Sequence, residues 1–158
     1  SWSSQLGNIL GVSLPVKPIK GQMCSVRSDS LGRPIVYPDG VIMPRKGGLV
    51  AIGATVEDVG FDPRIDPSAI DGMRLQAVEM VPALADAAIV ETWTGFRPRS
   101  KDGFPVIGKS PISGLVIASG HYTKGIAMAP VTAKLVADIV CDDCFDPLLA
   151  PFSPGRFV

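Results

Sequence analysis

Hydrophobic and polar positions follow two rhythms along this chain. In residues 15–27, PVKPIKGQMCSVR, apolar and polar side chains alternate with the period of a strand, entered through Pro15 and Pro18. After the turn-rich SDSLGRP, the segment IVYPDGVIMPR reads as two short strands around Pro38, Asp39 and Gly40. An Asp-Gly pair between apolar runs is a strong hairpin signal. GGLVAIGAT, residues 47–55, adds another strand. Consecutive strands on tight turns predict antiparallel pairing.

The second rhythm begins after the loop VEDVGFDPRIDP. Ile70, Met73, Ala77 and Val81 recur at helical spacing, which predicts a helix over 68–80 with Ser68 as N-cap and Pro82 as its stop. AIVETWTGFR, residues 88–97, returns to strand, and Pro98 to Gly103 read as a polar loop. GLVIASG, residues 114–120, is a continuous apolar run, the mark of a strand buried on both faces. The turn GHYTKG and the long helix IAMAPVTAKLVADIV follow. Strand, turn and helix make half of a βαβ unit, which predicts parallel-sheet architecture beside the antiparallel part. The tail after Cys144, with Pro147, Pro151 and Pro154, is expected to be irregular.

Composition sharpens this picture. The 158 residues suit one domain or one domain with an appendage, and Gly 17 with Pro 15, spread evenly, make the chain turn-rich without internal repeats. A mean hydropathy of +0.31 is apolar for this size and implies faces that normally cover something else. With 15 basic and 15 acidic side chains and no basic stripe, nucleic-acid binding has no electrostatic footing. No apolar run reaches the roughly 20 residues of a membrane span. The start SWSSQLGNIL lacks the shape of a signal peptide, so a cytoplasmic location is expected.

Few residue groups are candidates for chemistry. Cys141 and Cys144 form a C-x-x-C that reads as half a zinc site, a redox pair or two incidental thiols. Zinc needs four ligands and the single histidine, His121, is far away in sequence, which favours the incidental reading. GFPVIGKS, residues 103–110, matches the P-loop pattern, but a polar loop precedes it, Pro105 removes one N–H, and a strand follows where the motif needs a helix. Arg97, in WTGFRPRS, ends an apolar strand beside aromatic residues. It reads either as a two-pronged clamp for a carboxylate or as half of a structural salt bridge. The turn from Gly120 to Gly125 either aims a helix start at developing negative charge or simply connects two elements. G-x-G-x-x-G, H-E-x-x-H and G-x-S-x-G are all absent.

Taken together, WTGFRPRSKDGFPVIG, GLVIASGHYTKGIAMAP, GVIMPRKGGLVAIGATVEDVGFD, PVKPIKGQMCSVR and the opening SWSSQLG resemble the C-terminal part of the FAD-dependent glycine oxidase and D-amino acid oxidase family, nearest the glycine oxidases of thiamine biosynthesis. That resemblance implies an α+β fold. Residues 1–98 would form a mostly antiparallel substrate domain with helix 68–80. Residues 99–145 would be the last segment of the FAD-binding domain, with strand 114–119 and helix 125–140, and 146–158 an irregular tail. It further implies FAD as cofactor, no metal, and a glycine, small D-amino acid or amine substrate oxidised to an imine with oxygen as acceptor and peroxide as product.

By the same resemblance Arg97 is the carboxylate-binding arginine. Gly95 and Phe96 lie beside the flavin, and His121, Tyr122, Thr123, Lys124, Gly125 and Ile126 form the turn facing it. No catalytic acid or base is assigned. Ile42 stands where glycine oxidases often carry a tyrosine, Val56 where a methionine lines the pocket, and Thr123 where many carry an arginine. Tyr122 or Tyr37 could supply the missing hydroxyl. The implied partners are the N-terminal FAD-binding part of the same protein and, as an option, a second copy of the chain. A dehydrogenase using another electron acceptor and a non-enzymatic binding module are the alternatives.

Overall fold

A computed structural model describes residues 1–157. The chain forms a mixed α+β fold that divides into two compact units, Lys20–Phe96 and Ser1–Ile19 with Arg97–Val158. Strands β1 (Val16–Arg27) and β5 (Ile89–Ser100) each contribute residues to both.

The Lys20–Phe96 unit is built on a five-stranded sheet in the order β2-β3-β4-β1-β5, with β2 Ile35–Tyr37, β3 Gly40–Arg45 and β4 Leu49–Gly53. The pairs β2–β3, β3–β4 and β4–β1 are antiparallel, as the tight turns predict. Strand alternation then sorts the side chains. Cys24, Val26, Ile42, Val50 and Ile52 face α2 (Pro67–Met80), whose Ile70, Met73 and Ala77 complete a buried cluster with Leu84. Met23, Ser25, Met43 and Ala51 occupy the other face and, with Glu91 and Trp93, line a hollow of about 620 Å³.

The α2 N-cap is Asp66 and not Ser68. The Asp66 carboxylate accepts from the Ser68 backbone N–H at 2.9 Å and from the Ser68 hydroxyl at 2.7 Å. Pro67 at the first helical position carries the φ that a helix start requires. At the other end Pro82 follows directly on the cap residue Val81, as expected.

The long loop before α2 is held by a polar network that periodicity does not reveal. Lys20 is 4% exposed; its ammonium donates to the Arg64 carbonyl at 2.7 Å and lies 3.1 Å from a Glu57 carboxylate oxygen. Gln22 donates to Glu57 at 2.7 Å and accepts from the Asp66 N–H at 2.7 Å. The Thr55 hydroxyl accepts from the Gln22 N–H at 2.8 Å and also contacts Glu57. Burial alone would raise the Glu57 carboxyl; the Thr55, Gln22 and Lys20 hydrogen bonds and the Lys20 charge outweigh it and leave it low.

The other unit opens with a helix that the spacing of SWSSQLGNIL did not announce: α1, Ser3–Leu10, closed by Gly11 in the left-handed region at φ 73°. Strands β6 (Val106–Lys109) and β7 (Val116–Ser119) pair antiparallel as a two-stranded sheet, and α3 runs Gly125–Asp142. β6 is covered on both faces. Val106 packs with Val12, Val16 and Ile117, whereas Ile107 packs with Leu135, Ile139 and Leu149.

Three expectations change in this unit. The strand before α3 pairs antiparallel with β6, not parallel, because among the described residues β6 is its sole neighbour. For the same reason β7 is buried only at Ile117 and leaves Ala118 exposed. Residues 98–100 belong to strand β5, not to a loop, since an edge strand tolerates a proline whose carbonyl still finds a donor.

The tail winds into two 3₁₀ segments, Pro147–Phe152 and Pro154–Phe157, and Val158 lies outside the described residues. The Arg156 guanidinium fixes it. That group donates to Asp102 at 2.7 and 3.1 Å, to the Phe104 and Pro105 carbonyls at 3.0 and 2.9 Å, and to the Phe152 and Ser153 carbonyls at 2.7 and 3.1 Å. Arg156 beside Asp102 holds that carboxyl well below the usual range.

Candidate functional site

The end of β5 and the turn before α3 are joined backbone to backbone. The Tyr122 N–H donates to the Pro98 carbonyl at 2.9 Å, and Arg99 forms an antiparallel bridge with His121. Arg97, the residue before Pro98, is half-buried and engaged by its surroundings. Gly120, at φ 75°, lets the chain leave β7, and Tyr122, at φ 52°, adopts the left-handed conformation that side chains usually avoid. Non-glycine residues hold that conformation where neighbouring contacts over-determine it. Here the Pro98 bond and the Arg99 guanidinium, 5.5 Å from the Tyr122 ring centroid, do so.

His121 acts inside this turn, not across it. One ring nitrogen, Nε2, lies 3.0 Å from the Thr132 hydroxyl on α3, and burial pushes the imidazole below its ordinary value. A neutral ring bonded to the helix locks the turn onto the helix that follows. Thr123 and Lys124 are exposed, and Ile126 is 95% exposed in the first turn of α3. No side chain caps that helix start. The first N–H groups of an α-helix have no intrahelical acceptor, so this end favours a negative group set against it.

The chemistry available follows from the charges. Residues 97–126 contain one carboxylate, Asp102, and Arg156 binds it. Around the turn stand Arg97, Arg99 and Lys124, all cationic. Such an arrangement binds an anion and stabilises charge as it develops; it offers no free carboxylate to take a proton. The residues also fit the pyrimidine end of a flavin, whose reduced ring is anionic, since the uncapped helix start presents main-chain donors.

The remaining expected residues lie in the Lys20–Phe96 unit. Gly95 is open: a Cβ there would meet nothing within 4 Å. Phe96 packs edge-on against Phe61, centroids 5.4 Å apart. Ile42 is not a pocket residue. It is fully buried among Val26, Ile52 and Met73, because its place in the β3 alternation turns it toward α2, while Val41 and Met43 take the opposite face. Val56, 65% exposed, borders a separate hollow with Asp39, Thr55 and Gln76. Tyr37 packs against the same core as Ile42, its hydroxyl buried without a partner, and burial raises its pKa.

The P-loop-like stretch holds no phosphate cradle: residues 106–109 are strand β6, and Lys109 pairs with Asp143. All three cysteines are free, Cys24 buried and the other two exposed, and no cluster able to hold a metal occurs among the described residues. No helix among them is long and apolar enough to cross a membrane. Sequence reasoning passed over Arg99, which it took for part of a loop; the alternation of WTGFRPRS carried one residue pair further would have placed it on the strand face of Arg97.

Comparison with known proteins places this geometry among relatives. The sequence profile of the DAO family, FAD dependent oxidoreductase, matches residues 1–139. The bifunctional protein ThiO/ThiG of Synechocystis is 38% identical over 100% of this chain and 24% of its own length. The glycine oxidase of Pseudomonas aeruginosa is 38% identical over 98% of this chain and 43% of its own. The crystal structure of glycine oxidase from Geobacillus kaustophilus superposes with a TM-score of 0.89 at 36% identity, covering 99% of this chain and 44% of that one. The chain thus spans less than half the length of each relative.

Proposed function

Since this chain belongs to the family of FAD dependent oxidoreductases, we propose that it is the C-terminal part of an oxidase acting on the CH–NH bond of glycine, a small D-amino acid or a related amine, with oxygen as acceptor and hydrogen peroxide as product. One observation carries the reading: the Tyr122 N–H to Pro98 carbonyl bond at 2.9 Å, which sets the strand end bearing Arg97 beside the uncapped start of α3.

Each part has a role in that reaction. Arg97 offers two parallel N–H donors to the substrate carboxylate and so fixes the α-carbon. By the family resemblance the turn 121–126 would hold FAD, and Gly95 and Phe96, in the Lys20–Phe96 unit, are separate candidates for contact with it. FAD, when bound, supplies the hydride acceptor. The uncapped helix start would favour negative charge on a group set against it. His121, bonded to Thr132, keeps the turn in shape. With Asp102 tied to Arg156, that carboxylate is not available as a base at this turn.

We read the sheet unit Lys20–Phe96 as the substrate domain and the other unit as part of the FAD-binding domain, with further FAD contacts supplied by polypeptide beyond these 158 residues. Exposed Trp2 at the N-cap of α1, Leu6 and Ile9 on α1, and Ile126 on α3 suit contacts with such polypeptide or with a second copy. Three free cysteines fit the reducing cytoplasm.

The test is anaerobic mixing of the FAD-loaded protein with glycine, D-alanine and sarcosine. Bleaching of the flavin band and peroxide on re-aeration are expected. Arg97→Gln should lower kcat/KM by about 100-fold, the scale of one buried charge-assisted pair. No bleaching by any amine would sink the reading, and bleaching without peroxide would replace the oxidase by a dehydrogenase.

A further inference from the structure

Arg99 is where the site departs from what one carboxylate clamp requires. It follows Arg97 by two positions on β5, so alternation places both side chains on one face of the strand, with Cα atoms about 6.7 Å apart. Its guanidinium carbon stands 5.5 Å from the Tyr122 ring centroid. A guanidinium drawn over a ring by the ring's negative face still has N–H donors for a carboxylate. The backbone bridge from Arg99 to His121 and the Tyr122 bond to Pro98 fix both members of the stack.

Its charge is also unspent. Among the described residues no carboxylate pairs with Arg99, in contrast to Lys20, Arg64, Lys109, Lys134 and Arg156, each of which has an acidic partner. An exposed arginine ordered by stacking and left without a counter-ion is a preformed anion contact.

We propose that Arg99 receives a second carboxylate, so that the preferred substrate is a small amino dicarboxylate, its α-carboxylate on Arg97 and its distal carboxylate on Arg99. This rests on the oxidase reading above and names the substrate class of the same site. Glycine then becomes the lesser substrate, because it leaves Arg99 unused.

Two measurements test it. In steady-state oxidation by the FAD-loaded protein, D-aspartate should exceed D-alanine and glycine in kcat/KM. Arg99→Gln should raise KM for D-aspartate roughly tenfold more than it raises KM for D-alanine, the loss of one charge-assisted contact. Arg99→Lys should recover part of that loss, since it keeps the charge without the fork. The second measurement needs no turnover: at matched ionic strength, succinate should raise the thermal midpoint of the protein more than acetate, and Arg99→Gln should erase the difference. Equal effects of succinate and acetate, or an Arg99→Gln loss as large for D-alanine as for D-aspartate, would overturn the proposal. Failure of every amine to bleach the flavin strikes instead at the oxidase reading, while the succinate comparison still decides for or against Arg99.

Discussion

Two polar segments of this chain come to opposite outcomes. The loop at 55–66 carries Glu57 and Arg64 and receives Lys20 and Gln22 from β1; every one of these charges and amides meets a partner inside the same unit. The turn at 120–125 carries Tyr122 and Lys124 beside Arg99, and among the described residues it leaves the helix start uncapped and Lys124 and Arg99 without acids. Polar groups satisfied within the protein stabilise structure; polar groups held in place but unsatisfied are available to a ligand. Arg156 and Arg99 show the same contrast between two arginines: the first spends its donors on Asp102 and four carbonyls, the second only stacks.

The sharpest way to break this comparison is at Lys20. Lys20→Met removes the cation paired with a part-buried Glu57, and breaking such a pair costs about 3 kcal/mol. Chemical denaturation should show that loss, and adding Glu57→Gln should return much of it. If Lys20→Met is neutral, the loop is not held by the network. Next in size, Asp102→Ala strands the Arg156 guanidinium and should destabilise the protein by roughly 2 kcal/mol, with limited proteolysis then clipping the 147–157 tail first.

The pH dependence follows from the same two carboxylates. Arg156 beside Asp102, and the hydrogen-bond network at Glu57, hold both carboxyls below their ordinary values of 3.8 and 4.5. A carboxyl lowered on folding binds its proton more readily in the unfolded chain, so its stabilisation is complete above those values and fades as pH falls below them. Thermal midpoints should drop below about pH 4.5, and Asp102→Asn should flatten part of that limb.

The smallest effect is expected at His121. Its folded pKa lies below the ordinary 6.5, so the unfolded chain takes up the proton first and stability declines as pH falls through 6.5. Thr132→Val should cost about 1 kcal/mol, the worth of one hydrogen bond, without disturbing the sheet unit. A Thr132→Val protein that loses the sheet's near-ultraviolet signal would show that the turn is not a local device.

Much of the fold was legible in order of appearance. The hairpin at Asp39-Gly40, the helix ended before Pro82 and the antiparallel meander all follow from local chemistry that a neighbour does not override. The family signature singled out Arg97 and the turn, and the structure bonds Pro98, the residue after Arg97, to Tyr122 of that turn. Ile42 was misplaced because aligned phrases fix position along a strand but not which way a side chain points; one register step turns it from pocket to core. α1 was missed because its exposed Leu6, Ile9 and Leu10 and only Gly7 buried give it no packed stripe to read. Arg99 was missed because a proline at 98 signals a break, and only an edge strand can absorb one.

Pattern and residue type alone therefore determined the strands of the sheet unit and helices α2 and α3, and which family the chain resembles, because both depend on side chains near one another in sequence. Tertiary structure alone decided which charges are cancelled. Lys20 meets Glu57, separated by 37 positions, and Asp102 meets Arg156, separated by 54, whereas Arg99 meets only a ring. Whether a charge has a counter-ion is set by contacts distant in sequence, and no reading of spacing contains them.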